Sequence, residues 1–559
     1  MYSRRAFRRS VVTNVVIGLV GLMWVHQAGQ RAEACGGFFC SATPINQTAE
    51  QIIFHKDGNN VTAIVMIQYQ GPAEDFSWVV PVPGIPDLAL SSSMLFSSFE
   101  PATRPQFNLD VERIGCPIPP IFFDAGGVPL SPAADGGSAG GAPQEVQVLQ
   151  QLTVGPFDIQ IVNSQNPDAL AQWLVDNNYD LSDRGRDLIA PYVEMGMNFV
   201  ALRLQKDSDV GDIQPLKMRY VTDRPMIPIK LTAVAAEPDM GIIVWLFGPA
   251  RAVPLNFLHV EVNYARLNWF LGTFGGYSSY QQLVTEAMNE AGGQGFATDY
   301  AARDSSLREQ LPDAATLREF LDERRAESDA ARALVNLGRN LTFPQATMRS
   351  LFAAALPLPE GESLFAYGNA NRLRALFSDA ELEAARGSIL DALKTSVLDP
   401  YEDSLTIFDG DPYITRMYTT LSPEEMTLDP VFSFNADLAG QQLARNAKLR
   451  INCLVEPPEW ELELGEGTGR DGEIVLRGTG DQPFAVPEEV TRQSAVKATQ
   501  WLRESGQPEA VTTNTFGTVV VGDPINILAT LCGLFTLPFF AATMFGIGWM
   551  RHRLRSKHQ

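Results

Sequence analysis

An α+β fold is what this sequence predicts: a β-rich N-terminal half, arranged as a sheet or sandwich with short helices, a helical C-terminal half, and a single C-terminal transmembrane helix. Three observations carry that expectation. Runs of β-branched and aromatic residues punctuated by Gly, Asn and Pro recur from Gln51 to Phe247, the pattern of strands joined by turns. From Ser278 to about Thr395 the apolar residues fall at helical spacing. Ile525 to Met550 then runs 26 residues without a charge, and roughly 20 suffice to cross the hydrocarbon of a bilayer.

Residues 1–34 read as a signal peptide. Arg4, Arg5, Arg8 and Arg9 form a basic start, Val11 to Val25 a short apolar stretch, and Ala32-Glu33-Ala34 offers small residues at the cleavage positions. Ser3-Arg4-Arg5-Ala6-Phe7 also resembles a twin-arginine export signal, although Arg8 and Arg9 stand where Leu-Lys is usual. Cleavage after Ala34 makes Cys35 the new N-terminus. The charged Glu33 fits a lipidated cysteine badly, so a structural cysteine is the better reading.

The expected β-rich α+β domain spans 35–265. Gln51 to Lys56 and Val61 to Tyr69 flank "DGNN" as a hairpin. Phe76 to Val82 is a strand whose Pro81 marks an edge, and Gln106 to Ile114 is another. Phe122 to Pro143, rich in Gly, Ala and Pro with nothing to bury, predicts a disordered loop. Strands resume at Val146–Val154 and Phe157–Val162. Asn166-Pro167 then opens a helix to about Asn177, Asn as cap and Pro in the first turn. A short helix at Ser182–Tyr192 precedes strands at 198–205, 217–221, 229–234 and 241–247. A helical region covers 266–400 and a mixed part 401–510, which holds a turn-rich stretch at 411–438, a small β element around Trp460–Arg477 and an amphipathic helix at Val490–Glu504. A linker at 511–524 leads to the span at 525–550. The basic tail 551–559, with Arg551, Arg553, Arg555 and Lys557, is cytoplasmic by the positive-inside rule.

The formal net charge is −22. Nine of the 43 Lys and Arg lie in the two ends, but only Glu33 of the 65 acids does, so the exported part stands near −30. Such a surface repels phosphate backbones and argues against nucleic-acid binding. Cys35, Cys40, Cys116 and Cys453 fall in the oxidising compartment, where four cysteines allow three pairings. The favoured one closes "CGGFFC" as Cys35–Cys40 and joins Cys116 to Cys453. Cys532 lies within the span.

Few residues here carry chemistry. His55 and His259 are the only histidines between the two ends, and no H-E-x-x-H or C-x-x-C occurs. Both histidines read as structural or surface residues. "GGQGF" at 292–296 lacks the G-K-[ST] of a phosphate loop and reads as a helix C-terminal turn. "DSDVGD" at 207–212 departs from the spacing of a calcium loop. Asp409 and Asp411 in "FDGDPY", with Asp429, are the candidate calcium ligands, weighed against ordinary turn aspartates. Apart from calcium no cofactor is expected. The aromatics of "DFSWVVPVPG" read as sheet core before ligand platform.

Four stretches together resemble one family: "ACGGFFCS" with "INQTAEQIIF" and "AEDFSWVVPVPG", then "YDLSDRGRDLIAPYVEMGMNFVALRL", "EAGGQGFATDYA" and "YTTLSPEEMTLDPVFSFNADL". They are similar to the bacterial domain-of-unknown-function family numbered 2330, over roughly Cys35 to Cys453. The resemblance implies an exported bacterial protein and supplies no catalytic residues. The expected function is a protein of the bacterial envelope, anchored in the cell membrane by one span with its ectodomain in the periplasm or outside the cell. Its expected role is binding or structural interaction, with an envelope protein or polysaccharide as partner. The alternative is an envelope hydrolase using a carboxylate pair.

Overall fold

The computed structural model describes residues 49–66, 76–116, 146–177, 179, 181, 183–205, 213–234, 236–303, 305–480 and 488–511. The hairpin near the start is present: β1 (Ala49–Asp57) and β2 (Asn60–Met66) pair antiparallel around Gly58, whose φ of 55° the turn requires. Next come β3 (Ser77–Val82), β4 (Asp87–Leu90), α1 (Ser93–Thr103) and β5 (Gln106–Ile114). After 117–145, which lie outside the described residues, β6 (Gln147–Val154) and β7 (Phe157–Asn163) lead into α2 (Pro167–Asp176). The Asn166 side chain caps α2 by accepting from the N–H groups of Asp168 and Ala169. Then follow α3 (Asp183–Glu194), β8 (Asn198–Leu204), β9 (Leu216–Val221), α4 (Ile229–Thr232), β10 (Met240–Gly248), β11 (Arg251–Pro254), β12 (Leu258–Val262), α5 (Gly272–Glu290) and β13 (Gly295–Ala302).

Helices fill 305–408. Beyond them lie β14 (Tyr413–Leu421), β15 (Phe432–Asn435), β16 (Ala444–Asn452), β17 (Glu459–Leu464), β18 (Ile474–Thr479), β19 (Val496–Trp501) and β20 (Glu509–Ala510). A ten-stranded sheet runs β20-β19-β12-β13-β14-β10-β1-β2-β9-β4; two four-stranded sheets run β3-β8-β7-β6 and β18-β17-β16-β5; β11 pairs with β15.

Near the middle of the large sheet is β10, "MGIIVWLFG", buried along its whole length. Its side chains alternate between two faces. Ile242, Val244 and Leu246 join the core that packs against Trp78, Val80 and Val82 of β3 and Val200 of β8. From the opposite face Trp245 meets Phe96 and Phe99 of α1, and its indole N–H donates to Thr103 Oγ1 at 2.8 Å. The large sheet therefore lies between a second sheet and a helical layer. On the helical side Arg416 and Asp299, both fully buried, form an ion pair. The Tyr280 hydroxyl donates to the same carboxylate, and Arg416 Nη2 donates to the Tyr277 hydroxyl at 2.9 Å.

Several expectations need correction. The single spanning helix of the predicted fold is not supported. No helix among the described residues is long and apolar enough to cross a membrane. Even α5, at 19 residues, carries Gln281, Gln282, Glu286 and Glu290 on its exposed side and packs its apolar side on the protein. The stretches 1–34, 512–524, 525–550 and 551–559 lie outside the described residues. What the structure supports is a mixed α+β fold of sheets and helices.

Nor does the chain divide into a β-rich half and a helical half. The helices of 305–408 are an insertion between β13 and β14, which are neighbours in the large sheet. Residues 229–234 form a helical turn, not a strand. The amphipathic helix expected at Val490–Glu504 is one helical turn, Glu488–Thr491, followed by β19. There "VKATQW" pairs antiparallel with β12, from His259–Gln500 to Val262–Val496.

Candidate functional site

The side of the large sheet that faces β3 is not fully packed. A cavity of roughly 370 Å³ opens there. Its floor comes from alternate residues of three adjacent strands: Ile52 and Phe54 of β1, Ala63 and Val65 of β2, Met218 and Tyr220 of β9. Strand register sets these side by side, because Ile52 pairs with Val65 and Phe54 with Ala63, which pairs with Met218. Trp78, Val80 and Val82 of β3 form the roof. As Pro81 implied, β3 is an edge strand. Met195 and Met197, in the turn from α3 to β8, and Met226 close the sides.

One ionisable side chain stands out in this apolar lining. Glu50 shares the face of Ile52 and Phe54, and its Oε2 is buried without a hydrogen-bond partner among the described residues. Loss of solvation pushes its carboxyl up to about 7 from the usual carboxylate range. Tyr220 is buried in the same wall, and its hydroxyl is raised for the same reason. Thr222, Asp223 and Arg224 form a polar rim, where Arg224 is held by Glu504 at 2.9 Å. The cavity is elongated. Glu50 precedes Lys56 by six residues, and Lys56 stands level with Val61 and so with Tyr220. At about 3.3 Å per residue, Glu50 and the rim are some 20 Å apart along the strands.

The aspartates proposed for calcium occupy different surroundings. Asp429 is buried and already satisfied: Oδ1 accepts from the Tyr192 hydroxyl at 2.8 Å and the Lys230 N–H at 3.1 Å, with Lys230 Nζ 3.5 Å from Oδ2. Burial raises its carboxyl despite these partners. Asp411 is exposed, has φ 52°, and pairs with Arg303 at 3.6 Å in the turn that enters β14. Asp409 is exposed in the same turn, where its charge opposes the burial that lowers His55. Among the described residues no three His, Cys, Asp or Glu side chains come together to hold a metal. These three aspartates serve turns and a buried hydrogen-bond network.

Cys116 and Cys453 form a disulfide, Cα–Cα 5.0 Å, at the end of the parallel pair β5–β16. Cys35, Cys40 and "DSDVGD" lie outside the described residues. The glycines of "GGQGF" do end α5: Gly292 and Gly293 have φ 84° and 86°. His259, read from sequence as structural or surface, is buried beside a second, polar cavity.

Residues 30–310, half of the chain, match the model of a family described as an uncharacterized protein conserved in bacteria, DUF2330. The chain belongs to this family. No curated protein and no solved structure matches the chain. The DUF2330 match ends at residue 310, short of the 453 expected, and leaves "YTTLSPEEMTLDPVFSFNADL" outside it. Every lining residue of the apolar cavity except Val431 falls within the DUF2330 segment. Three of the stretches that carry the resemblance meet there: "INQTAEQIIF" brings Glu50, "AEDFSWVVPVPG" the roof, and "YVEMGMNF" the methionines.

Proposed function

We propose that this DUF2330 protein is a binding protein of the bacterial envelope whose inter-sheet cavity takes a slender apolar molecule ending in an amine. The observation that carries this reading is the unpartnered Glu50 carboxyl inside an otherwise apolar wall. An ionised carboxylate only accepts hydrogen bonds, and a charged donor makes the strongest ones. A chain-like ligand suits the length of the cavity, and methionines adapt to irregular apolar shapes. The Cys116–Cys453 disulfide supports residence in an oxidising compartment.

The test is displacement of a fluorescent apolar probe by decylamine and by decanol. Decylamine should displace saturably, at least tenfold more tightly at pH 8 than at pH 5.5, because the carboxylate forms as pH rises through about 7. Glu50→Leu should erase that pH dependence. Failure of decylamine to displace, or equal affinity in the variant, would sink the reading. The alternative, a carboxylate-pair hydrolase, draws on Glu50 and Asp223, which line one cavity. Their separation of about 20 Å along the strands gives it less support, since paired carboxylates in glycoside hydrolysis stand about 5–10 Å apart. Ester or glycoside turnover lost in both Glu50→Gln and Asp223→Asn would revive it.

A further inference from the structure

The second cavity, roughly 260 Å³, shares no lining residue with the first. Strands β11, β12, β13 and β19 build it, with the loops at 438–441 and 467–469. It is polar, and three of the ten buried side-chain atoms without a hydrogen-bond partner among the described residues belong to it: Arg251 Nε, His259 Nδ1 and Thr298 Oγ1. Buried polar groups are satisfied as a rule, because leaving one without a hydrogen bond forfeits its hydration with nothing in return. Three such atoms around one space mark a place where a ligand supplies the partners.

The charge balance says what kind. Arg251 donates from Nη1 to the Ala439 carbonyl at 2.6 Å, but among the described residues no carboxylate pairs with it at close range. Glu261, the acid whose charge reaches it, is held by Lys497 at 3.0 Å and by the Gln500 amide at 3.2 Å. His259 sits beside Arg251, and burial together with that cation keeps the imidazole neutral, down to about 4. The groups facing the space are thus the Arg251 guanidinium, a neutral imidazole, the hydroxyls and amides of Thr298, Thr468 and Gln500, and the Lys497–Glu261 pair, whose opposite charges offset each other and leave the guanidinium as the net charge. The volume lies below the roughly 300–1,000 Å³ of drug-sized sites.

We infer that this cavity binds a small polyhydroxylated carboxylate, a sugar acid, with its carboxylate on Arg251 and its hydroxyl groups on His259 and Thr298. A guanidinium takes a carboxylate in a two-pronged geometry, and a site built to bond hydroxyls rejects molecules that lack them. Gly467 allows the close wall, since a Cβ there would stand 2.0 Å from the Ala444 carbonyl oxygen.

Calorimetry of the folded protein with glucuronate, glucose and acetate tests this directly, with imidazole NMR of His259 alongside. Glucuronate should bind at least tenfold more tightly than either partial mimic and move the His259 resonances. Arg251→Gln should weaken it at least tenfold. Thr298→Val, which keeps the shape of the strand, should weaken it about threefold and covers the case in which the arginine variant does not fold. Absence of heat with glucuronate, equal binding of glucose, or unchanged affinity in Thr298→Val together with unmoved His259 signals would overturn the inference.

Discussion

Glu50 is a residue whose behaviour depends wholly on what lies above it. Burial raises its carboxyl to about 7, so the folded protein holds a proton that the unfolded chain releases near pH 4.5. A raised acid pKa gives stability that is complete below about pH 4.5 and lost as pH climbs through 7. At about 1.4 kcal/mol per pH unit, the loss by pH 8 is at most about 3 kcal/mol. Part of the side chain reaches solvent, which reduces it. Glu50→Gln, neutral at every pH, should match the parent in urea unfolding at pH 4.5 and exceed it at pH 8; an identical offset at both would mean the carboxyl does not carry the effect. Nothing in "TAEQIIF" distinguishes this glutamate from a solvated one. Its isolation arises only when β3 is laid over β1. His259 was read from sequence only as structural or surface, and the cavity beside it required β19, which the sequence reads as a helix.

At the scale of elements, Arg416 of β14 and Asp299 of β13 hold two neighbouring strands against α5 through Tyr277 and Tyr280, while Glu100 of α1 lies 3.6 Å from the guanidinium. Removing one member leaves a buried charge without its partner, which costs about 3–5 kcal/mol. Asp299→Leu should therefore lower stability by that amount, and Asp299→Leu combined with Arg416→Leu by less, as chemical denaturation would register. A double variant weaker than the single would contradict the ion-pair account. The same polar residues explain why these strands escaped sequence reading. β13, "GFATDYAA", has small residues buried on both faces, so no alternation shows, and β14 interrupts its apolar run with Arg416 and three threonines that are buried. The early strands were legible because β-branched runs there meet Asp-Gly or proline punctuation. The helices of 305–408 were legible through their caps, such as Ser378 with Glu381.

Across the whole molecule, distant segments are neighbours. β1 lies beside β10, and β5 is completed only by β16, where the disulfide closes a loop between residues 337 apart in sequence. Replacing both Cys116 and Cys453 by serine should cost about 2–5 kcal/mol, seen as a lower denaturation midpoint that reducing agent no longer shifts. A parent midpoint indifferent to reducing agent would refute this. That spacing also sets a clock. Synthesis at about 5–20 residues per second leaves Cys116 waiting roughly 20–70 s for its mate to exist. Throughout the wait the thiols already made are Cys35 and Cys40, so any bridge Cys116 forms in that interval is a wrong one. The yield of native protein then depends on whether oxidation waits for Cys453, or on how quickly such a bridge is exchanged for the native one.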